Sequence, residues 1–507
     1  MVKLCKCPRS YQTLLMSVDK SSYRQILKAT SIFGGVQVFL IIIGIIRSKF
    51  IAVLLGPAGM GLAGLLQAGT SMIAGLTNFG LSTSAIKNIS AAQAENDEEK
   101  VGRVIAVFRR LVWATGLLGL LVTLGLSPYL SQISFGNKEY TWAFALLSVT
   151  LLINQISEGH GVLLRASRQV KLMAKSSIIG SVIGLLTTIP LYYIYGIDGI
   201  VPALIIATFT SLFLTWYFAT KLSFKKTKVD LLIVKFEGKE MLTMGFMISL
   251  SGIITIAFSY LVRIFISNYG SIDDVGLYNA GFAIVNTYVG MIFTAMATDY
   301  YPKLSEVAQD EQRANQTINH QAEIAVLILS PLILAFIVFI KLIIFLLLSN
   351  DFSPVSQMIS FASVGILFKS LSWAIAFLFL ARSANRLFFW NEFITNIYML
   401  GFNLTGFYCL GLTGLGISFT LSYAIYAYQV YLVANRFFKF EMHRELKKVI
   451  FFNLILTLVG LSVTLFLQNA HMKYTTGALL IVGSLIFNIR NLNNRIGLWG
   501  LFTGNKN

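Results

Sequence analysis

The chain has 507 residues, 56% of them hydrophobic and 12% charged, with a formal net charge of +18 and a mean hydropathy of +0.73. Soluble domains are about 45–50% apolar and about 25% charged. So few charges on so long a chain cannot cover a water-facing surface. This excludes a soluble enzyme, a disordered protein and a nucleic-acid-binding domain, and leaves a polytopic membrane protein.

Apolar segments long enough for membrane helices are read at 30–55, 60–86, 111–127, 140–163, 176–195, 199–220, 242–268, 275–298, 324–348, 355–381, 387–409, 413–434, 449–468 and 474–489. Each spans about 20 mostly apolar residues. A β-barrel would instead show strands of about 10 residues with strict alternation, whereas runs such as LILSPLILAFIVFIKLIIFLLL are continuous. The fold class expected is therefore an all-α polytopic membrane protein.

With the N-terminus placed inside, 33 of the 40 Lys and Arg fall in inner segments and only Lys138 and Lys473 in outer loops. The positive-inside rule then puts both ends in the cytoplasm, which requires an even number of spans. The outer loops are short and several are acidic, with Asp198, Asp273, Asp274 and Asp351. Residues 1–28 hold no long apolar core before a cleavage site, so no signal peptide is expected and the first span directs insertion.

The chain reads as a basic tail (1–29), a first lobe of six spans (30–220), a basic linker (221–241), a second lobe of six spans (242–436) and a C-terminal pair with its tail (437–507). Span 1 runs RSKFIAVLLGPAGMGLAG from Arg47, and span 7 runs RIFISNYGSIDDVGLYNAG from Arg263. Aligning Gly61 with Gly276, an offset of 215 residues, sets Arg263 opposite Ser48, between Arg47 and Lys49. Both copies start on the cytoplasmic side, so the repeat is parallel.

No phosphate-binding loop, no His-Glu-x-x-His and no Gly-x-Ser-x-Gly is present. Cys5 and Cys7 form a lone Cys-x-Cys without a His or third Cys nearby, and Cys409 stands alone; no disulfide framework or metal is expected. The positive signal is five cations inside spans: Arg47, Lys49, Arg263, Lys341 and Lys369. Each costs about 2.5–3.5 kcal/mol at a helix centre on insertion scales, so such residues face a cavity, a partner or the interface. Arg47 and Lys341 lie roughly 26 Å beyond their cytoplasmic entries, where snorkelling to the outer surface competes with a role in a cavity. Anions are few: Glu392 on span 11, Glu158 on span 4 and Asp299 at the end of span 8. An unbalanced cationic interior suits an anionic ligand, and Arg and Lys are the usual partners of phosphate.

Pro190, Pro202 and Pro331 lie within spans and can kink them. Glycines crowd span 1 and its turn at Gly56, Gly59, Gly61 and Gly64, which allows close packing or bending. Gln37, Asn286, Tyr288, Asn391, Asn396 and Tyr398 are candidates to line a sugar path or to bind helices together.

GPAGMGLAGLLQAG (56–69), NFGLSTSAIKNIS (78–90) and DYYPKLSEV (299–307) resemble the bacterial O-antigen flippases. These form the polysaccharide-transporter branch of the multidrug/oligosaccharidyl-lipid/polysaccharide exporter superfamily. The resemblance covers roughly residues 22–436; the C-terminal pair departs from the usual twelve spans. It implies two six-helix lobes around a central cationic cavity. It also implies flipping of undecaprenyl-pyrophosphate-linked sugar units from the cytoplasmic to the periplasmic leaflet, with alternating access driven by an ion gradient. By motif position Lys49 matches the family's basic residue before the first turn, and Arg263 the one in span 7.

The reading that follows is a lipid-linked oligosaccharide flippase of the bacterial inner membrane, not an enzyme. The cations Arg47, Lys49, Arg263, Lys341 and Lys369 bind substrate, and Glu392 or Asp299 binds the coupling H+ or Na+. Membrane lipids surround it, polysaccharide polymerase machinery is a candidate partner, and neither nucleic acid nor a resident cofactor is expected. A lipid II flippase shares the mechanism. A multidrug exporter would favour acidic residues for its cationic substrates. A membrane glycosyltransferase could use Asp273 and Asp274, but such enzymes generally carry a sizeable periplasmic loop.

Overall fold

The computed structural model describes residues 9–95, 97–225, 227 and 229–496, without the side chains of residues 9–34, 288 and 496. Among the described residues there is helix and no strand. The helices are α1 (Arg9–Thr77), α2 (Leu81–Ala94), α3 (Glu98–Phe135), α4 (Thr141–Ala166), α5 (Val170–Tyr195), α6 (Ile200–Ala219) and α7 (Leu231–Tyr269). They continue as α8 (Ile272–Val307), α9 (Glu311–Leu347), α10 (Val355–Ala381), α11 (Asn385–Phe438), α12 (Arg444–Phe466) and α13 (Ala470–Ile496). Among the described residues ten stretches are long and apolar enough to cross a membrane, including the C-terminal α12 and α13. The protein is a multi-pass membrane protein. Cys5 and Cys7 lie outside the described residues, and Cys409 is an exposed free thiol.

Single glycines divide three of these stretches. Gly56 (φ 63°, ψ −168°) interrupts α1 and Gly411 (φ 57°, ψ −140°) interrupts α11. Gly196 (φ 55°, ψ −129°) ends α5 before a short 3-10 turn, Gly196–Gly199. Positive φ without a Cβ penalty is what glycine supplies. At Gly411 the chain reverses: a Cβ on Gly414 would lie 1.8 Å from the Gly406 carbonyl. Residues eight apart along one straight helix are about 12 Å apart. The outer turns foreseen after spans 1, 5 and 11 thus need almost no loop.

On the other side the helices outrun the sequence reading. The basic linker expected over 221–241 ends at Asp230, whose carboxylate accepts the Leu231 N–H at 2.6 Å and starts α7 eleven residues early. Similarly α3 begins at Glu98 and α9 at Glu311. Asp310 caps α9 by accepting the Gln312 and Arg313 N–H groups, each at 3.0 Å. Hydropathy marks where a helix leaves lipid, whereas caps mark where it ends.

The chain divides into two compact units. One joins the residues up to Phe50 with Ile73–Ser127 and Trp142–Ser249. Its core is formed by α2, α3, α4 and the start of α7, around Leu81, Ile89, Phe108, Leu163 and Met241. The other joins Ile51–Met72, Pro128–Thr141 and the residues from Leu250 onward. Its core runs through α8, α9 and α10, with Ile333, Ile337, Phe352 and Ile359 fully or almost fully buried. Here α12 and α13 pack on α9. They are tied to each other by a reciprocal amide pair, Asn453 with Asn488, 3.1 Å each way.

Within the second unit, Gly61 packs on Gly276, the pair that the sequence alignment matched. A Cβ on Gly61 would lie 1.9 Å from the Ile272 carbonyl, and a Cβ on Gly276 1.9 Å from the Pro57 carbonyl. Pro57 and Ile272 are themselves 215 residues apart. Each glycine thus meets the carbonyl four residues before the other, so the two contacts exchange under the same offset.

Candidate functional site

Arg263 sits half-buried on α7 and is held in place by neutral groups. Its Nε donates to Asn279 Oδ1 at 2.8 Å. Its Nη1 donates to the Ser259 carbonyl at 2.9 Å and to Ser259 Oγ. The guanidinium lies 5.5 Å from the Tyr278 ring centroid. Of its five N–H donors, the two on Nη2 have no protein partner among the described residues. α8 can present Asn279 because its start is fixed by a capping box, in which Ser271 Oγ accepts the Asp274 N–H at 3.1 Å and Asp274 accepts the Ser271 N–H at 3.0 Å. Asp274, a candidate acid of an enzyme, is thus engaged in capping.

Arg263 lines a cleft of about 580 Å³ together with Gln67, Ser71, Thr255, Asn279 and Asn286. A second cleft of about 180 Å³ shares Thr255, Ser259, Phe282 and Asn286 with it and adds Asn396, Asn403, Ser422 and Tyr423. No Asp or Glu lines either cleft. Several polar atoms here are buried without a partner: Asn279 Nδ2, Asn403 Oδ1 and Ser422 Oγ. A buried unsatisfied group costs about 1–3 kcal/mol, so a ligand that reaches Asn403 Oδ1 or Ser422 Oγ gains a hydrogen bond; Asn279 Nδ2 is packed against Gly64.

The other candidates are distributed as follows. Lys369, half-buried on α10, holds its ammonium 5.2 Å from the Tyr423 ring and 5.9 Å from the Phe419 ring, both of which line the second cleft. Glu392 accepts the Tyr426 hydroxyl, and its backbone carbonyl accepts Asn396 Nδ2 at 2.8 Å, one helical turn from the same cleft. Asp299 is exposed and pairs with Lys303 at 2.5 Å. Lys341 is exposed, close enough to Lys473 for the two charges to interact, and does not line either cleft. Glu158 pairs with Arg165. Arg47 and Lys49 belong to the other unit, where Arg47 bonds to Tyr192 and leaves its Nε without a partner.

Of the polar span residues singled out in the sequence, Asn286 and Asn396 reach the clefts. Gln37 is exposed, whereas Asn391 is buried and accepts Gln429 Nε2 at 2.7 Å. Tyr398 hydrogen-bonds Thr395 at 3.3 Å, and the Tyr288 side chain lies outside the described residues. Sequence reasoning missed Gln67, Asn279, Asn403, Ser422 and Tyr423. Asn279 could have been found, because it stands 16 residues after Arg263, across the Gly270–Ser271 turn.

A bundle of membrane helices enclosing a polar cleft with one oriented cation has the build of a transporter. The chain belongs to the polysaccharide biosynthesis protein family, whose model matches residues 50–357. A second family model, lipid II flippase MurJ, matches residues 234–484. Among curated proteins, the lipid III flippase of Escherichia coli (strain K12) is 24% identical over 356 residues, covering 68% of this chain and 82% of its own. Among solved structures, lipid II flippase MurJ in an inward closed conformation superposes with a TM-score of 0.67 at 14% identity, covering 92% of this chain and 99% of its own. An inward-facing multidrug resistance MATE family transporter of the MOP superfamily gives 0.64 at 15% identity, covering 81% and 96%. These likenesses confirm the all-helical fold expected from the sequence.

Proposed function

We propose that this chain flips undecaprenyl-pyrophosphate-linked O-antigen or related polysaccharide repeat units from the cytoplasmic to the periplasmic leaflet of a bacterial inner membrane. A sugar head cannot cross hydrocarbon unaided, because its hydroxyls lose their hydrogen bonds to water. A cavity that opens to one face at a time gives the head a polar route while the lipid tail stays in the bilayer. The observation that carries this reading is Arg263: oriented by Asn279 and Ser259, it keeps both Nη2 donors for a ligand. A free N–H of a guanidinium forms a short, charge-assisted hydrogen bond to a phosphate oxygen. The absence of Asp and Glu from the lining favours an anionic or neutral ligand over the cation of a multidrug exporter. Arg47 and Lys49, in the other unit, are further candidates for an anionic headgroup in this reading, with both chain ends cytoplasmic. Glu392, bonded to Tyr426, is the better of the two carboxylates for a coupling H+ or Na+, since Asp299 is already paired at the surface. Flipped units then pass to polysaccharide polymerase machinery.

A second reading, a lipid II flippase, is favoured by the match to the MurJ family model over 234–484, which takes in α12 and part of α13. The two are separated in a strain lacking the gene, by extracting lipid-linked sugars and assigning them to leaflets. O-antigen-type units trapped on the cytoplasmic side and released by wild type, not by Arg263→Ala, support the first reading. Trapped lipid II supports the second. Units that reach the periplasm without the protein overturn both.

A further inference from the structure

The two cations Arg263 and Lys369 are joined by a continuous row of rings. The Arg263 guanidinium lies 5.5 Å from Tyr278, and Tyr278 and Phe282 have centroids 4.8 Å apart. Phe282 and Phe419 follow at 5.4 Å, and Phe419 and Tyr423 at 4.6 Å. The Lys369 ammonium closes the row 5.2 Å from Tyr423. All four rings line the second cleft. The same cleft holds the carboxamides of Asn286, Asn396 and Asn403 and the hydroxyls of Thr255, Ser259 and Ser422. Ser422 is fully buried, and its Oγ makes no bond even to its own helix; Asn403 Oδ1 is likewise without a partner.

From this arrangement we infer that the second cleft is a monosaccharide subsite, which receives the sugar next to the phosphate held at Arg263. This inference rests on the flippase reading above. A pyranose presents C–H groups on its faces and hydroxyls around its rim. The former suit aromatic rings, and the latter suit carboxamides and hydroxyls that both donate and accept. The volume, about 180 Å³, is below the roughly 300 Å³ at which pockets for drug-sized ligands begin, so the cleft takes one ring rather than a chain. Continuity with the larger cleft through Ser259, Phe282 and Asn286 puts that ring within reach of Arg263. A metal cation is a poor alternative occupant: no carboxylate lines the cleft, and Arg263 and Lys369 flank its wall.

The test uses the full-length protein in lipid nanodiscs and two probes, undecaprenyl diphosphate without sugar and the lipid-linked unit extracted from the host. Ser422→Ala removes an unpartnered hydroxyl and is expected to keep or raise the melting temperature; Asn403→Leu is the second variant. In both, affinity for the glycosylated probe is expected to fall about three- to tenfold, the effect of one neutral hydrogen bond, with affinity for bare undecaprenyl diphosphate unchanged. Equal weakening of both probes, or of neither, overturns the subsite while leaving the flippase reading intact. Wild-type protein that binds neither probe overturns the flippase reading and the subsite with it.

Discussion

Arg263 and Asn279 are bonded across the α7–α8 hairpin, Nε to Oδ1 at 2.8 Å, and Asn279 is itself pressed against a glycine. A Cβ on Gly64 would lie 2.0 Å from Asn279 Nδ2. The orientation of the cation therefore depends on the absence of a side chain two hundred residues away in sequence and adjacent in space.

Replacing Arg263 by Ala is expected to weaken binding of undecaprenyl diphosphate on the order of a hundredfold, since charge-assisted hydrogen bonds contribute about 1.5–3 kcal/mol each. Arg263→Lys keeps the charge but loses the planar fork, and is expected to fall between. Gly64→Val, which leaves Arg263 in place, should mimic Arg263→Lys. Titration of the purified variants with the lipid checks all three; a wild-type affinity for Gly64→Val would show that Asn279 does not orient the cation.

The Gly61–Gly276 crossing leaves no room for a side chain. Gly61→Ala or Gly276→Ala forces backbone apart, and overpacking of this kind costs about 1–3 kcal/mol or more. Gly252→Ala, on α7 with nothing within 4 Å of the added atom, is the control and is expected to keep or slightly raise stability. Thermal unfolding in detergent, followed by intrinsic fluorescence, compares the three.

Asn453 and Asn488 are both fully or almost fully buried and satisfy each other. Asn453→Leu removes the donor to Asn488 Oδ1, while Asn488 Nδ2 keeps the Ser484 carbonyl and hydroxyl, and is expected to destabilise by about 1–3 kcal/mol. The double change Asn453→Leu with Asn488→Leu should cost less than the two single changes added. A double-mutant cycle on the melting transition measures the coupling, expected at about 1 kcal/mol from the range seen in membrane bundles.

At the start of α3, Asp97 accepts the Glu99 N–H at 2.9 Å and the Lys100 N–H at 3.0 Å. The Lys100 backbone bond holds its carboxyl below the ordinary value of 3.8. A carboxylate depressed in the folded state stabilises above its unfolded value, and that stability is lost as pH falls through the folded one. The first turn of α3 is thus expected to loosen only below about pH 4. Hydrogen exchange at the Glu99 and Lys100 amides, corrected for intrinsic rates, would show it, and Asp97→Asn should move little across the same range.

Much of this was legible in the sequence, for reasons that also mark its limits. Charge sidedness and unbroken apolar runs gave the fold class and the helix positions, because lipid imposes both. Arg263 stood out because a charge inside a span is costly. The 215-residue alignment paired Gly61 with Gly276, although nothing in it said the two would touch. Asn403 and Ser422 were not legible. Helix faces toward lipid and toward protein are both apolar, so periodicity does not reveal which polar residue meets a cleft. Depth along the span did separate two lysines: Lys341, far from its cytoplasmic entry, lies exposed near Lys473, and Lys369 lies against Phe419 and Tyr423.

At the crossing of Gly61 with Gly276 each glycine meets a backbone carbonyl, that of Ile272 for one and of Pro57 for the other. Segments this close leave no side chain between them that could change rotamer, and packed interiors transmit displacement rather than absorb it. The segment that carries Gly64 and the one that carries Asn279 therefore move as one body. The support of the cation rides on backbone contact, which substitution elsewhere in the core does not easily loosen.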